Sequence, residues 1–163
     1  LQRILFLGFT LVSLSGCDDI PPERFETHSP LIWTDDSKVE IMLARKFLDI
    51  YEDKSAKLTI EDIRLKNEEF KPAPSTIPVF PFTQSAIWSR MKLHHQSNTA
   101  REVFLDIEYS YFDHVSIFQF EESGALIAQW ELGDTLPFAE RPIQDHSFVV
   151  PLNLAPKTTY DIF

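Results

Sequence analysis

The sequence predicts an all-β domain, a β-sandwich or jelly roll with one short helical turn. Three observations predict it. The second half of the chain is a succession of short segments whose apolar residues alternate, the period of a half-buried strand. Turn residues punctuate these segments: Ser97-Asn98, Glu122-Ser123-Gly124 and Gly133-Asp134. The chain holds 14 Phe and only 4 Gly, which favours a packed core over disorder.

Residues 1–17 read as an export segment. Arg3 is its only charge, and the apolar run at 4–14 is too short to span a bilayer comfortably but matches a signal-peptide core. It ends in Leu14-Ser15-Gly16-Cys17, which resembles the lipobox of bacterial lipoproteins. On that pattern Cys17 is lipidated, and Asp18 resembles an inner-membrane retention signal; a plain signal peptide or a retained anchor is the alternative. The expected location is the cell envelope, at the periplasmic face of the inner membrane.

Residues 18–38 read as a linker, with Pro21-Pro22, Pro30 and no sustained period. Trp33 within it can pack back on the domain, which is expected over 39–163. A first strand is predicted at 39–43 and a second short element at 47–51. Helix competes there, because Ile41, Ala44, Phe47 and Leu48 also share a helical face. Thr59 and Asp62 fit a capping box that starts one helical turn through Arg64. The proline-rich stretch 71–81 is expected to be extended loop.

From residue 86 onward every element is expected to be a strand. Over 86–94, Ile87, Ser89, Met91 and Leu93 lie on one face, and Trp88, Arg90, Lys92 and His94 on the other. Val103, Leu105, Ile107 and Tyr109 form the next apolar face. The stretch 115–120 is apolar on both faces and so is expected to be central. Residues 125–132 complete a hairpin with it.

The chain is organised around 133–154. Pro137 and Pro142 hold an extended loop, and Phe148, Val150, Leu152 and Leu154 then alternate as a strand. Pro151 has no N–H for a ladder, so this strand is expected at an edge or at a bulge. The loop brings Asp134, Glu140, Arg141, Asp145 and His146 to one rim, either as a binding site or as ties for the loop itself. The last strand, 158–163, alternates and stops without an exit, so the domain is expected to be C-terminally incomplete.

Charge and residue types narrow the chemistry. A formal net charge of −10 opposes nucleic-acid binding and docking on anionic lipid. A single cysteine leaves no disulfide within the chain and no thiolate zinc or redox pair. There is no phosphate loop and no nucleophile elbow, and the adjacent His94 and His95 point to opposite faces of a strand. No catalytic residue, metal site or cofactor is therefore expected. The candidate ligand-binding residues are Trp88 and Arg90, together on one strand face, with Asp113 at the start of a strand and Arg141 on the proline loop. An indole platform and planar guanidinium forks suit a sugar, a carboxylate or a small polar metabolite. The competing reading is structural: a buried Trp88, with Arg90 and Arg141 paired to Asp113 or Glu108.

Several segments, in order, carry a family resemblance. They are Tyr51-Glu52-Asp53 with Leu58-Thr59-Ile60-Glu61-Asp62; Ser85-Ala86-Ile87-Trp88-Ser89-Arg90; Asp113-His114-Val115; and Gly133-Asp134 through Pro137-Phe138 and Arg141-Pro142-Ile143 to Phe148-Val149-Val150-Pro151-Leu152. Residues 39–163 thus resemble the extracellular type-2 domain of bacterial seven-transmembrane receptors with diverse intracellular signalling modules. Ser89 departs from the more usual apolar residue, and His94-His95 from a turn-type residue. The resemblance implies a jelly roll similar to carbohydrate-binding modules. It further implies a periplasmic sensor of a small-molecule or carbohydrate ligand, followed in such receptors by seven membrane helices and a cytoplasmic output, often a diguanylate cyclase or a histidine kinase. No enzymatic activity is expected of the domain itself. Sensor domains of this kind often act as homodimers, although the pattern shows no dimer face. The alternative is a freestanding envelope lipoprotein, anchored by lipid, whose sandwich binds carbohydrate or another envelope protein.

Overall fold

The computed structural model describes residues 3–6, 30–33, 41–43, 47–73, 83–109 and 111–163. They form two sheets. The first takes the order β10-β7-β1-β3, from β10 (Phe148–Leu154), β7 (Arg101–Ile107), β1 (Arg3–Phe6) and β3 (Ile41–Leu43). The second takes the order β5-β4-β6-β11-β8-β9, from β5 (Lys71–Pro72), β4 (Leu48–Asp53), β6 (Ala86–His95), β11 (Thr159–Ile162), β8 (Val115–Glu121) and β9 (Leu126–Leu132). A seventh strand, β2 (Leu31–Trp33), pairs with β6 in parallel. The long pairings are antiparallel, while β1 runs parallel to both β3 and β7. The expected all-β sandwich is the observed fold.

Alternation builds the core. Val103, Leu105 and Ile107 of β7 and Phe148, Val150, Leu152 and Leu154 of β10 are buried from one sheet. Met91 and Leu93 of β6, Ile117 of β8, and Tyr160 and Ile162 of β11 meet them from the other. Among the described residues β10 pairs only with β7, which places Pro151 on an edge strand where its missing N–H costs no ladder bond. Strand β8 lies between β11 and β9 and is buried on both faces at Ile117, Phe118, Gln119 and Phe120, as its composition predicts.

A smaller apolar layer covers the outer face of the seven-stranded sheet. There Ile63 of α1 (Ile60–Arg64) and Phe70 pack on Phe118, Phe120 and Phe163, with Trp88 and Tyr51 at the margin. The rings meet mostly edge to face, Phe120 and Phe163 at 6.1 Å and Phe70 and Phe163 at 6.2 Å.

Several expectations need correction. The linker is not featureless: Leu31–Trp33 forms β2, because Leu31 and Trp33 bury their side chains against β6 and Trp33 O accepts from Gln96 N–H at 2.8 Å. Strand and helix compete at 47–51 in the sequence; the structure resolves this as strand from Leu48 on, since β4 matches β6 residue for residue from Leu48↔Met91 to Asp53↔Ala86. The proline-rich stretch begins with a two-residue strand, β5, and from 74 to 81 lies outside the described residues. Tyr109 does not continue the face of β7; it packs on Phe112 at 4.9 Å beyond the end of that strand. Within the expected export segment Arg3–Phe6 forms β1, while the remainder, Cys17 included, lies outside the described residues. No helix among the described residues is long and apolar enough to cross a membrane.

Candidate functional site

The helical segment that roofs the outer face is positioned by a single carboxylate. Asp53 ends β4 and accepts from Ser55 N–H (2.9 Å), Ser55 Oγ (2.6 Å), Lys57 N–H (2.9 Å) and Leu58 N–H (3.0 Å). Burial pushes this carboxyl up, but the hydrogen bonds from Ser55, Leu58 and Lys57 outweigh it and bring its pKa from 3.8 to about 2. The turn so formed delivers Thr59 to the start of α1. There Thr59 Oγ1 accepts from Asp62 N–H and Asp62 Oδ2 accepts from Thr59 N–H, the expected capping box. At the other end Arg64 donates to Gly124 O at 3.3 Å and lies 4.0 Å from the Phe120 ring centre. A 3-10 turn, Asn67–Glu69, then brings the chain back over β6.

Beneath that turn two ion pairs lie side by side across three strands. Arg90 of β6 meets Asp49 of β4 at 2.8 Å, with side-chain exposures of 11% and 8%. Its other terminal nitrogen donates to Asn67 Oδ1 at 2.8 Å, and its guanidinium lies 4.8 Å from the Phe70 ring centre. Lys92, two residues along β6, meets Asp161 of β11 at 3.3 Å, and this pair is open to solvent at 40% and 30%. Two adjoining cavities of about 430 and 250 Å³ lie over these groups and share Asn67 and Asp161 in their walls. Phe163 lines the larger and Phe47 the smaller, so the groove has charged groups on its floor and an aromatic ring in each part. Among the described residues no group of three or more His, Cys, Asp or Glu is placed to hold a metal ion.

The residues singled out from sequence do not meet in one groove. Trp88 and Arg90 do share a face of β6, but the Trp88 ring stacks on Phe118 at 6.4 Å as part of the roofed apolar layer. Arg90 lines the smaller cavity while being held by Asp49 and Asn67. Its carboxylate partner is thus Asp49, and not the Asp113 or Glu108 expected. Asp113 is exposed on a loop, where its carbonyl accepts from Thr135 Oγ1 at 2.7 Å. Gly133 packs against that same carbonyl so closely that a Cβ there would come within 2.1 Å of it. Arg141 closes the proline loop on itself: it donates to Asp145 O at 2.9 Å and sits between the Phe138 and Phe148 rings at 5.0 and 4.6 Å. Asp113 and Arg141 therefore belong to the rim loops, and Trp88 and Arg90 to the sheet face.

The family model described as 7TMR-DISM extracellular 2 matches residues 45–163. The chain belongs to this family. No curated protein matches the chain. As a 7TMR-DISM extracellular 2 domain it is an extracellular sensor domain of a membrane receptor, which puts it on the envelope side of the membrane. The matched stretch contains every residue of the groove described above.

Lys92, Asp161, Asn67 and Asp49 were not picked out from the sequence. A signal existed for Lys92, which lies on the same strand face as Trp88 and Arg90. Asp49 and Asp161 reach β6 only through cross-strand register, which no local pattern reports.

Proposed function

We propose that this sensor domain binds a small polar molecule or a carbohydrate in the groove on the outer face of the seven-stranded sheet. The Lys92–Asp161 pair supports the reading most directly. It is half-exposed and joined at 3.3 Å, a kind of pair worth about 0–1 kcal/mol, so a ligand can replace either partner at small cost. The Arg90–Asp49 pair beside it is nearly buried and keeps its geometry. Phe163 and Phe47 offer apolar surface to the non-polar face of a sugar or the carbon frame of a metabolite. In this reading the receptor continues into seven membrane helices and a diguanylate cyclase or histidine kinase output, and it resides in the inner membrane.

Thermal unfolding with panels of sugars, amino acids and dicarboxylates tests the binding reading. A ligand that binds only the folded state raises the midpoint. A ligand that takes the place of Asp161 is expected to lose that rise in Lys92→Ala, and one that takes the place of Lys92 to lose it in Asp161→Asn. A ligand whose shift survives both substitutions binds elsewhere, and the groove assignment fails.

A second reading rests on Leu14-Ser15-Gly16-Cys17. Lipidation at Cys17 makes the chain a lipid-anchored envelope protein, with or without a receptor behind it. Labelling with a fatty-acid analogue decides it: the chain is expected to take up label and Cys17→Ala to lose it.

A further inference from the structure

The outer face of β6 sets two cations in one line. Arg90 and Lys92 stand two residues apart on that face, roughly 6–7 Å along the strand. Anions flank them on the neighbouring strands. Asp49 of β4 is opposite Arg90, and Asp161 of β11 is opposite Lys92. The middle strand therefore carries positive charge and each flanking strand negative charge. The two pairs differ in access. Asp49 and Arg90 are nearly buried on each other, whereas Lys92 and Asp161 keep 40% and 30% of their side-chain surface.

The smaller cavity, of about 250 Å³, lies over these pairs, and Glu68 and Phe47 complete the part of its wall that matters here. It is smaller than the roughly 300–1,000 Å³ of ordinary ligand pockets, so it suits one small metabolite. Its three carboxylates, Asp49, Glu68 and Asp161, outnumber Arg90 and Lys92, so a dicarboxylate meets more like charge than opposite charge. A simple anion on Lys92 also faces Asp161, and a simple cation on Asp161 also faces Lys92, because the two groups are 3.3 Å apart. A neutral sugar uses neither charge, and the indole of β6, Trp88, is stacked on Phe118 outside this cavity's wall. A molecule with both signs close together escapes each conflict. Its carboxylate over β6 meets Lys92, its ammonium over β11 meets Asp161, and each of the four charges gains an opposite neighbour. Asn67 gives its Oδ1 to Arg90 at 2.8 Å, which leaves its amide N–H groups in the wall as further donors for that carboxylate.

We infer that the ligand of this groove is a zwitterion of the α-amino-acid class, held with its carboxylate on Lys92 and its ammonium on Asp161. This rests on the ligand-sensing reading and selects one class within it. The Phe47 ring offers apolar surface to the ligand's side chain, while Glu68 and Asp49 repel an acidic one. An apolar or aromatic side chain is therefore favoured over a carboxylate. The Arg90–Asp49 pair stays closed and fixes the floor on which the open pair stands.

Titration calorimetry of the whole chain against the common L-α-amino acids tests this. The tightest of them is then compared with its N-acetyl derivative, which keeps only the carboxylate, and with its amide, which keeps only the ammonium. The unmodified chain is expected to bind the zwitterion about tenfold or more tightly than either derivative, since each derivative gives up one charge-assisted hydrogen bond. Lys92→Ala is expected to bind zwitterion and amide alike, and the amide no more weakly than the unmodified chain does. Asp161→Asn is expected to bind zwitterion and N-acetyl derivative alike. Equal affinity of the unmodified chain for the zwitterion and either derivative overturns the proposal, as does the absence of binding by every amino acid at about 10 mM. A sugar or dicarboxylate that binds where no amino acid does, and that is lost in Lys92→Ala or Asp161→Asn, keeps the groove and sinks the zwitterion. An amino acid that binds equally to the unmodified chain and to both variants sits elsewhere, and overturns the groove as well. The comparison of the three ligand forms on the unmodified chain decides the matter even where a variant does not fold.

Discussion

Two arginines proposed for one site sit in regions built on different physics. Arg90 lies on a sheet face, nearly buried, with its charge met by the nearly buried carboxylate of Asp49. Arg141 lies on a rim loop, between two phenyl rings, and donates to a neutral carbonyl four residues away. The first joins β4, β6 and the 3-10 turn across 41 residues of sequence; the second ties a loop to itself. The difference teaches that a guanidinium's role is set by what it neutralises. Removing Arg90 takes a cation from a nearly buried carboxylate, whereas removing Arg141 takes a donor from a carbonyl.

The largest predicted effect follows directly. Arg90→Ala is expected to cost about 3 kcal/mol of folding stability, because it removes the guanidinium that meets the nearly buried carboxylate of Asp49 at 2.8 Å. Urea unfolding measures it. Replacing both partners, Arg90→Met with Asp49→Leu, is expected to restore part of the loss, since neither charge of this pair is then buried. A single-variant loss below about 1 kcal/mol would put Arg90 with ordinary surface charges, and the contrast between the regions would collapse.

Arg141→Ala comes next, at about 1–2 kcal/mol, from one charge-assisted hydrogen bond and two cation–π contacts of roughly 0.5–1 kcal/mol each, partly offset by solvent reaching the loop. Arg141→Lys is expected to recover less than half, because an ammonium neither stacks flat between the rings nor presents the same fork. A loss at Arg141 as large as that at Arg90 would mean that the loop is anchored by more than its own carbonyl.

These two regions also mark how far the sequence could be read. The inward rows of β6, β7 and β10, the edge position of Pro151, the capping box at Thr59 and the turn at Gly124 are all local patterns, and all are observed. What failed was non-local. Asp49 is one acid among 25 until the register of β4 on β6 sets it opposite Arg90. Strand β2 is three residues long after Pro30, too short for a periodicity to be detected, and is held by Leu31 and Trp33 reaching the core. The 3-10 turn at Asn67–Glu69 has no side-chain cap to announce it. Trp88 was placed correctly on its strand face, but that face proved to be roofed there by Ile63 and Phe70.

The next prediction concerns the turn that sets this roof, and it is confined to a pH window. The Asp53 carboxyl titrates at about 2 in the folded chain against 3.8 ordinarily. A depressed carboxylate contributes stability that is present above the unfolded value and is lost as pH falls through the folded one. The stabilisation is therefore complete at neutral pH and fades between about pH 3.8 and pH 2. Asp53→Asn is expected to lower the thermal midpoint at pH 7, because its amide cannot accept at both oxygen positions from the Ser55, Lys57 and Leu58 N–H groups. The gap between variant and parent is expected to narrow as pH approaches 2. A gap that stays constant from neutral to acid pH would show that the carboxylate's charge contributes nothing there.

The smallest stability effect is expected at Lys92, and it is the most informative about binding. Lys92 stands two residues from Arg90 on the same face of the same strand, so the two report on one environment at two depths. At 40% exposure its pair with Asp161 is screened by solvent, and Lys92→Ala is expected to change folding stability by no more than about 0.5 kcal/mol. A ligand group that takes the Lys92 ammonium in place of Asp161 gains a charge-assisted hydrogen bond worth about 1.5–3 kcal/mol, so its loss weakens binding by roughly ten- to a hundredfold. Titration calorimetry with a ligand found by thermal shift measures this directly. A variant that keeps its stability and loses affinity places Lys92 in a binding site on a rigid floor. A variant that loses several kcal/mol of stability shows instead that Lys92 is scaffold like Arg90, and the contrast that defines the groove moves one residue pair further along β6.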